Sequence, residues 1–139
     1  MPNLLKVTLD TSTNPWCLDI DQSGNANHVS RSPNAQTITW QLTGNAASGS
    51  FNAQNATPPG FAWVIPSPPP PPPYPPAGIF GDPVTSPNGK EITMTDLNNS
   101  ASTAGEWIYQ LSATINNVVY QSKKTSITGQ TTNPSIKNN

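Results

Sequence analysis

This chain of 139 residues is short of charge: Asp, Glu, Lys and Arg make up 9% of it, and the formal net charge is −1. Lys and Arg total six, too few for the clustered basic surface that displaces counterions from nucleic acid. There is one cysteine, Cys17, so no intrachain disulfide can form, and with Trp16 and Leu18 beside it that thiol reads as a small core residue. There is one histidine, His28, in a polar stretch. A histidine-based metal site or a Ser-His-Asp triad would have to use it without a second histidine or a nearby acid. No glycine-rich phosphate loop occurs, and the residues supply no cofactor motif. No apolar run approaches a membrane span, and Met1–Asp10 lacks a basic region followed by a long apolar block. The expected location is cytoplasmic, with neither membrane nor nucleic acid as a partner. A surface rich in Asn, Ser and Thr but poor in charge offers little like-charge repulsion, so self-association is the partner to expect.

Helical periodicity is the other absence, and its place is taken by period-2 alternation. Leu5-x-Val7-x-Leu9, Ile38-x-Trp40-x-Leu42, Phe61-x-Trp63-x-Ile65, Ile92-x-Met94 and Trp107-x-Tyr109-x-Leu111-x-Ala113-x-Ile115 each put apolar side chains on one face of a strand. Asn116-Asn117 separates the last of these from Val118-Val119-Tyr120, and asparagine tolerates the positive φ of a tight hairpin. Short strands divided by Gly, Asn and Pro clusters predict one all-β domain over residues 1–139. The expected form is an immunoglobulin-like antiparallel β-sandwich with its aromatics meeting between the sheets. Residues 66–76 interrupt this pattern with Pro66-Ser67, the run Pro68–Pro73, Tyr74, Pro75 and Pro76. Proline donates no ladder hydrogen bond, so this polyproline insertion must leave the sheets, and it reads as a stiff polyproline II rod spanning roughly 30 Å. Pro71-Pro72-Pro73-Tyr74 also has the PPxY form recognised by proline-binding modules, though a linker explains it as well.

Few residues can carry chemistry. Asp19-x-Asp21-x-Ser23-Gly24 resembles the opening of a calcium loop, but Ser30 stands where a bidentate glutamate would close it, so no metal site is expected. The same two aspartates, alternate along a strand, would be about 7 Å apart, too far to share a proton. Asp96 ends an alternating segment at the Asn98-Asn99-Ser100 loop, where it could orient a water or amide against the tail or simply close an Asx-turn. Glu106 should face outward beside Trp107, or into a second site. Asp82-Pro83 is an Asp-Pro bond in mid-chain and reads as a turn. The tail, residues 133–139, contains Asn133-Pro134. An asparagine side chain can attack its own main-chain carbonyl and expel the next residue. A following proline, having no N–H, blocks the competing attack on the side chain.

The order Ile92-Thr93-Met94-Thr95-Asp96, Gly105-x-Trp107-x-Tyr109-x-Leu111, Asn116-Asn117, Tyr120-x-Ser122 and Pro134-x-Ile136-x-Asn138 resembles the Asp-Pro self-cleaving endopeptidases. These are small bacterial β-sandwich proteins, and the similarity covers mainly residues 78–139. The resemblance implies a cut at the C-terminal Asn133–Pro134 bond, an aspartate (here Asp96) activating water, and a lysine joined to the freed residue through an isopeptide bond. Lys123 and Lys124 are the candidates for that lysine. The chain departs from the family pattern in having Asn133 where the aspartate would be, and in the ten residues 123–132 that precede it. Asn133, Pro134 and Asp96 are therefore the candidate catalytic residues of a self-processing protein whose substrate is its own tail. The alternative is a non-catalytic sandwich that binds or self-assembles and has lost cleavage.

Overall fold

In the computed structural model, which describes residues 3–12, 14–65, 68–122 and 134–139, the chain is all-β. Eleven strands follow one another among these residues. They are β1 (Asn3–Asp10), β2 (Cys17–Ile20), β3 (His28–Val29), β4 (Gln36–Leu42), β5 (Ser50–Phe51), β6 (Phe61–Trp63), β7 (Val84–Thr85), β8 (Glu91–Asp96), β9 (Gly105–Ile115), β10 (Val118–Gln121) and β11 (Ser135–Asn138). One sheet runs β2-β1-β4-β8-β7. The other is built on β9, which pairs with β10, β11, β5 and β6, and β3 is added beyond β11. The alternation read from the sequence sets the inward faces. Leu5, Val7 and Leu9 of β1, Ile38, Trp40 and Leu42 of β4, and Ile92 and Met94 of β8 meet Tyr109, Leu111, Ala113 and Ile115 of β9 in one buried core.

The aromatic centre holds the sheets together. Trp40 and Tyr109 are fully buried, with ring centroids 5.2 Å apart in an edge arrangement, and the Trp40 Nε1–H donates to the Tyr109 hydroxyl at 2.8 Å. Phe61 stacks on Tyr109 at 5.3 Å and contacts Trp40 at 5.2 Å. Each ring contributes its apolar area, plus about 0.5–1.5 kcal/mol for each favourable ring pair. Asn116 and Asn117 have φ of 51° and 65°, the left-handed pair that a two-residue hairpin between twisted strands requires.

Two features differ from the sequence expectation. The sheets are mixed, because β1 lies parallel to β4 and β11 parallel to β3. Alternation reports which face of a strand is buried and is silent on strand direction. Residues 68–76 lie outside both sheets, but 71–75 form successive bends in place of a straight rod. Pro70–Pro73, Tyr74 and Pro76 fold back to line a hollow with Trp107, so the prolines cover an aromatic edge of the core. Among the described residues no helix is long and apolar enough to cross a membrane.

Candidate functional site

The C-terminal strand occupies an interior position. β11 runs antiparallel to β9, with Ile136 opposite Trp107 and Asn138 opposite Gly105, and parallel to β3 on its other side. Among the described residues β3 pairs with no other strand, so β11 is what brings His28 and Val29 into the sheet. Gly105 opens β9 at φ +152°, and a Cβ there would lie 2.9 Å from the Trp107 ring, which explains glycine at the point where the tail ends.

Side chains from four loops and strand ends grip this strand along its length. The Pro134 carbonyl accepts from the Tyr109 N–H at 3.2 Å, and Pro134 itself is buried. Ser135 donates its N–H to Gln22 Oε1 at 2.9 Å and its hydroxyl to Glu106 Oε2 at 2.8 Å, while the Asn27 amide donates to the Ser135 carbonyl at 3.0 Å. Ile136 is fully buried in the core, where an aliphatic side chain contributes about 1.5–3 kcal/mol toward fixing the segment. Lys137 points out, and its N–H reaches the Asn27 carbonyl at 3.0 Å.

At the far end the grip becomes a buried polar cluster. Asn138 Nδ2 donates to Asp96 Oδ1 and to the Thr103 carbonyl, each at 2.9 Å. Asn98 Nδ2 donates to the carbonyls of Val29 and Asn139, both at 2.9 Å, while its Oδ1 accepts from the Thr103 hydroxyl at 3.0 Å. A one-turn 3-10 helix, Ala101–Thr103, presents Thr103, and a reciprocal Ser100–Thr103 capping box fixes that turn. Asp96 is the third inward residue of β8, after Ile92 and Met94, so its bond to Asn138 crosses from one sheet to the other. Burial pushes the Asp96 carboxyl up to about 6, opposed only in part by the Asn138 bond.

Of the residues singled out from the sequence, Pro134 and Asp96 both belong to this tail site, but the strand separates them. Asp96 meets Asn138, four residues beyond Pro134, which is about 13 Å of extended chain. Asp96 also does not close an Asx-turn with its own loop; its hydrogen bond goes to the tail. The carboxylate that contacts the residue beside Pro134 is Glu106. Asn133, Lys123 and Lys124 lie outside the described residues. Gln22, Asn27, Asn98 and Thr103 were missed by sequence reasoning. All are polar loop or turn residues of ordinary type, and nothing local marks them; Asn27, Asn98 and Thr103 are nonetheless buried, against the rule that such side chains face water.

The remaining candidates are placed elsewhere. The Ser23 hydroxyl, and then the Ser23 N–H that Asp21 Oδ1 accepts at 3.0 Å, hold the Asp21 carboxyl below its usual value. No group of three His, Cys, Asp or Glu side chains comes together among the described residues. Asp82 and Pro83 help line a hollow of about 340 Å³ with Trp63, Tyr74 and Phe80. Cys17 is half-buried on β2, and its neighbour Trp16 is 47% exposed and stacks on Tyr120.

No family model matches the chain, and no curated protein or solved structure gives a significant match.

Proposed function

We propose that this protein is a self-processing β-sandwich that breaks its own Asn133–Pro134 bond and keeps residues 134–139 in place as β11. The observation that carries this reading is the grip on the strand immediately after the bond. Pro134 is buried, its carbonyl is bonded to Tyr109, and Ser135 is held by Gln22, Asn27 and Glu106. Fixing one side of a bond so firmly lowers the entropic cost of any attack on it. The Asn133 side-chain nitrogen would attack the Asn133 carbonyl carbon, forming a succinimide. The bond to Pro134 would break, and the proton lost by the amide would pass to the departing proline nitrogen. Glu106, which accepts from the Ser135 hydroxyl, would relay that proton, while Asp96 holds the tail's far end. In the related route suggested by the resemblance, water in place of the amide adds to the Asn133 carbonyl, the bond to Pro134 breaks, and the proline nitrogen leaves with a proton. An isopeptide would form instead from the succinimide: the Lys123 or Lys124 amine would attack a ring carbonyl carbon, the ring C–N bond would break, and the ring nitrogen would take the amine's proton.

The second reading is a non-catalytic module that self-assembles. Val118 and Val119 of β10 are each about half exposed, and Trp16, also about half exposed, stacks on Tyr120 of the same strand, giving an apolar border poor in charge. Neither reading requires a metal or cofactor.

Mass spectrometry separates the two. Processed protein loses residues 134–139 under denaturing conditions yet keeps its full mass under native conditions, because the peptide stays in the sheet. Asn133→Asp should accelerate the cut, a carboxylate being the better nucleophile, and Asn133→Ala should abolish the succinimide route. An Asn133→Asp chain that keeps its full denatured mass after prolonged incubation between mildly acidic and neutral pH leaves the assembly module as the reading.

A further inference from the structure

Two acceptor oxygens, Asp96 Oδ2 and Asn138 Oδ1, are buried and have no hydrogen-bond partner among the described residues. The same two residues already share one bond, from Asn138 Nδ2 to Asp96 Oδ1 at 2.9 Å. An ionised carboxylate can only accept, and so can an amide oxygen, so this pair has one donor too few. A single proton on Asp96 Oδ2 supplies it. The acid O–H then donates to Asn138 Oδ1 while Asp96 Oδ1 goes on accepting from Nδ2, and the second Nδ2 hydrogen remains on the Thr103 carbonyl. One proton satisfies both orphaned atoms.

We infer that Asp96 is a proton-bearing positioning residue that, as the neutral acid, closes a two-point ring with the Asn138 amide and latches the C-terminal strand across the sandwich. Losing the proton leaves two acceptors facing each other and loosens that strand. The latch holds whether or not the Asn133–Pro134 bond breaks, and it gives Asp96 a role other than that of a base.

The surroundings favour the neutral form. Asp96 is fully buried and Asn138 is 2% exposed. The residues that meet Asp96 from the neighbouring elements are Gln36 opposite it on β4, Phe80 in an isolated bridge, and Asn138 on β11, and none carries a charge. Two other titratable groups touch the tail, but away from this pair. Glu106 accepts from the Ser135 hydroxyl, and His28 lies in register with Lys137. Burial lifts the Asp96 carboxyl from 3.8 in the unfolded chain to about 6. Between those values the folded protein holds a proton that the unfolded chain has lost, so the contribution of Asp96 to folding stability is fully present below about 4 and is lost as pH rises through about 6.

The test uses the full chain and its Asp96→Asn variant, with Asp96→Leu for comparison and His28→Gln and Glu106→Gln as controls. An asparagine at 96 can form the same ring at every pH, donating from its own amide to Asn138 Oδ1. Unfolding is followed by denaturant titration from pH 4 to pH 8, and hydrogen exchange is read at the amides of residues 136–139. Relative to Asp96→Asn, the parent's unfolding constant should rise about 100-fold from pH 4 to pH 7, the shift of roughly two pH units expressed as an equilibrium ratio. Tail amides should exchange faster over the same range, and the two glutamine controls should keep the effect. At pH 8, Asp96→Asn should be more stable than the parent, and Asp96→Leu, which leaves the Asn138 amide unmatched, should be less stable than Asp96→Asn. The inference is overturned if Asp96→Asn retains the parent's pH slope, is no more stable than the parent at pH 8, or equals Asp96→Leu. Carbon-13 titration of the Asp96 carboxyl in the unmodified protein is a second measurement that needs no variant to fold. A midpoint near 6 that moves together with the Asn138 side-chain amide supports the latch, and an ordinary carboxylate titration overturns it.

Discussion

The centre of this sandwich and its tail end both join one sheet to the other, by opposite means. At the centre, Trp40, Tyr109 and Phe61 do so through apolar area, and a polar bond that crosses there, from Trp40 to Tyr109, satisfies both atoms it uses. At the tail end, Asp96, Asn98, Thr103 and Asn138 join the sheets through hydrogen bonds in a dry setting, and two acceptors are left over. A dry environment strengthens every bond that is made and makes every unmade one expensive. The centre is therefore stable without conditions, whereas the tail end depends on protonation. Tyr109 illustrates the first case: burial raises its hydroxyl far above the usual phenol range, so it stays neutral at any pH where the protein folds.

Three substitutions sharpen this contrast, taken from the largest expected effect to the smallest. Trp40→Ala removes the largest core side chain and strands the Tyr109 hydroxyl. It should cost about 3–5 kcal/mol in denaturant unfolding, by the same amount at pH 5 and pH 8. A loss that changed with pH would show that the centre also titrates. Asn98→Ala leaves the Val29 and Asn139 carbonyls and the Thr103 hydroxyl without this partner, and should cost about 1–3 kcal/mol. Its local mark should be faster exchange at Asn139 and Val29, with the aromatic centre's near-ultraviolet circular dichroism unchanged. Tyr109→Phe deletes only the acceptor for the Trp40 N–H and should cost about 1–2 kcal/mol, again without pH dependence. Were Tyr109→Phe to cost more than Asn98→Ala, the ranking of centre and tail by hydrogen bonding would be reversed.

Much of the architecture was open to reading in the chain itself. Alternation at Leu5–Leu9, Ile38–Leu42, Ile92–Met94 and Trp107–Ile115 marks strands and their buried faces, because successive side chains of an extended backbone must point to opposite sides. Asn116-Asn117 marks a hairpin because few residues accept positive φ twice in succession. The prolines of 68–76 mark a departure from the sheets because they lack the donor that a ladder needs. These are local consequences of stereochemistry and require no knowledge of the rest of the molecule.

What the tertiary structure decided is non-local. Alternation shows that Ile136 wants burial, but it cannot show that β11 enters between β9 and β3, since any strand offers the same backbone donors and acceptors to any neighbour. The chain offers Asp96 either to the tail or to its own loop, and cannot name Asn138 as its partner, because that residue lies forty-two positions away in sequence. Asn98, Thr103 and Gln22 resemble any surface polar residues until the tail arrives to bury or engage them. The sequence by itself determined the longer alternating strands and which faces of them are apolar. Only the folded chain decided which polar side chains would be enclosed together, because that depends on the meeting of segments whose separation no local rule records.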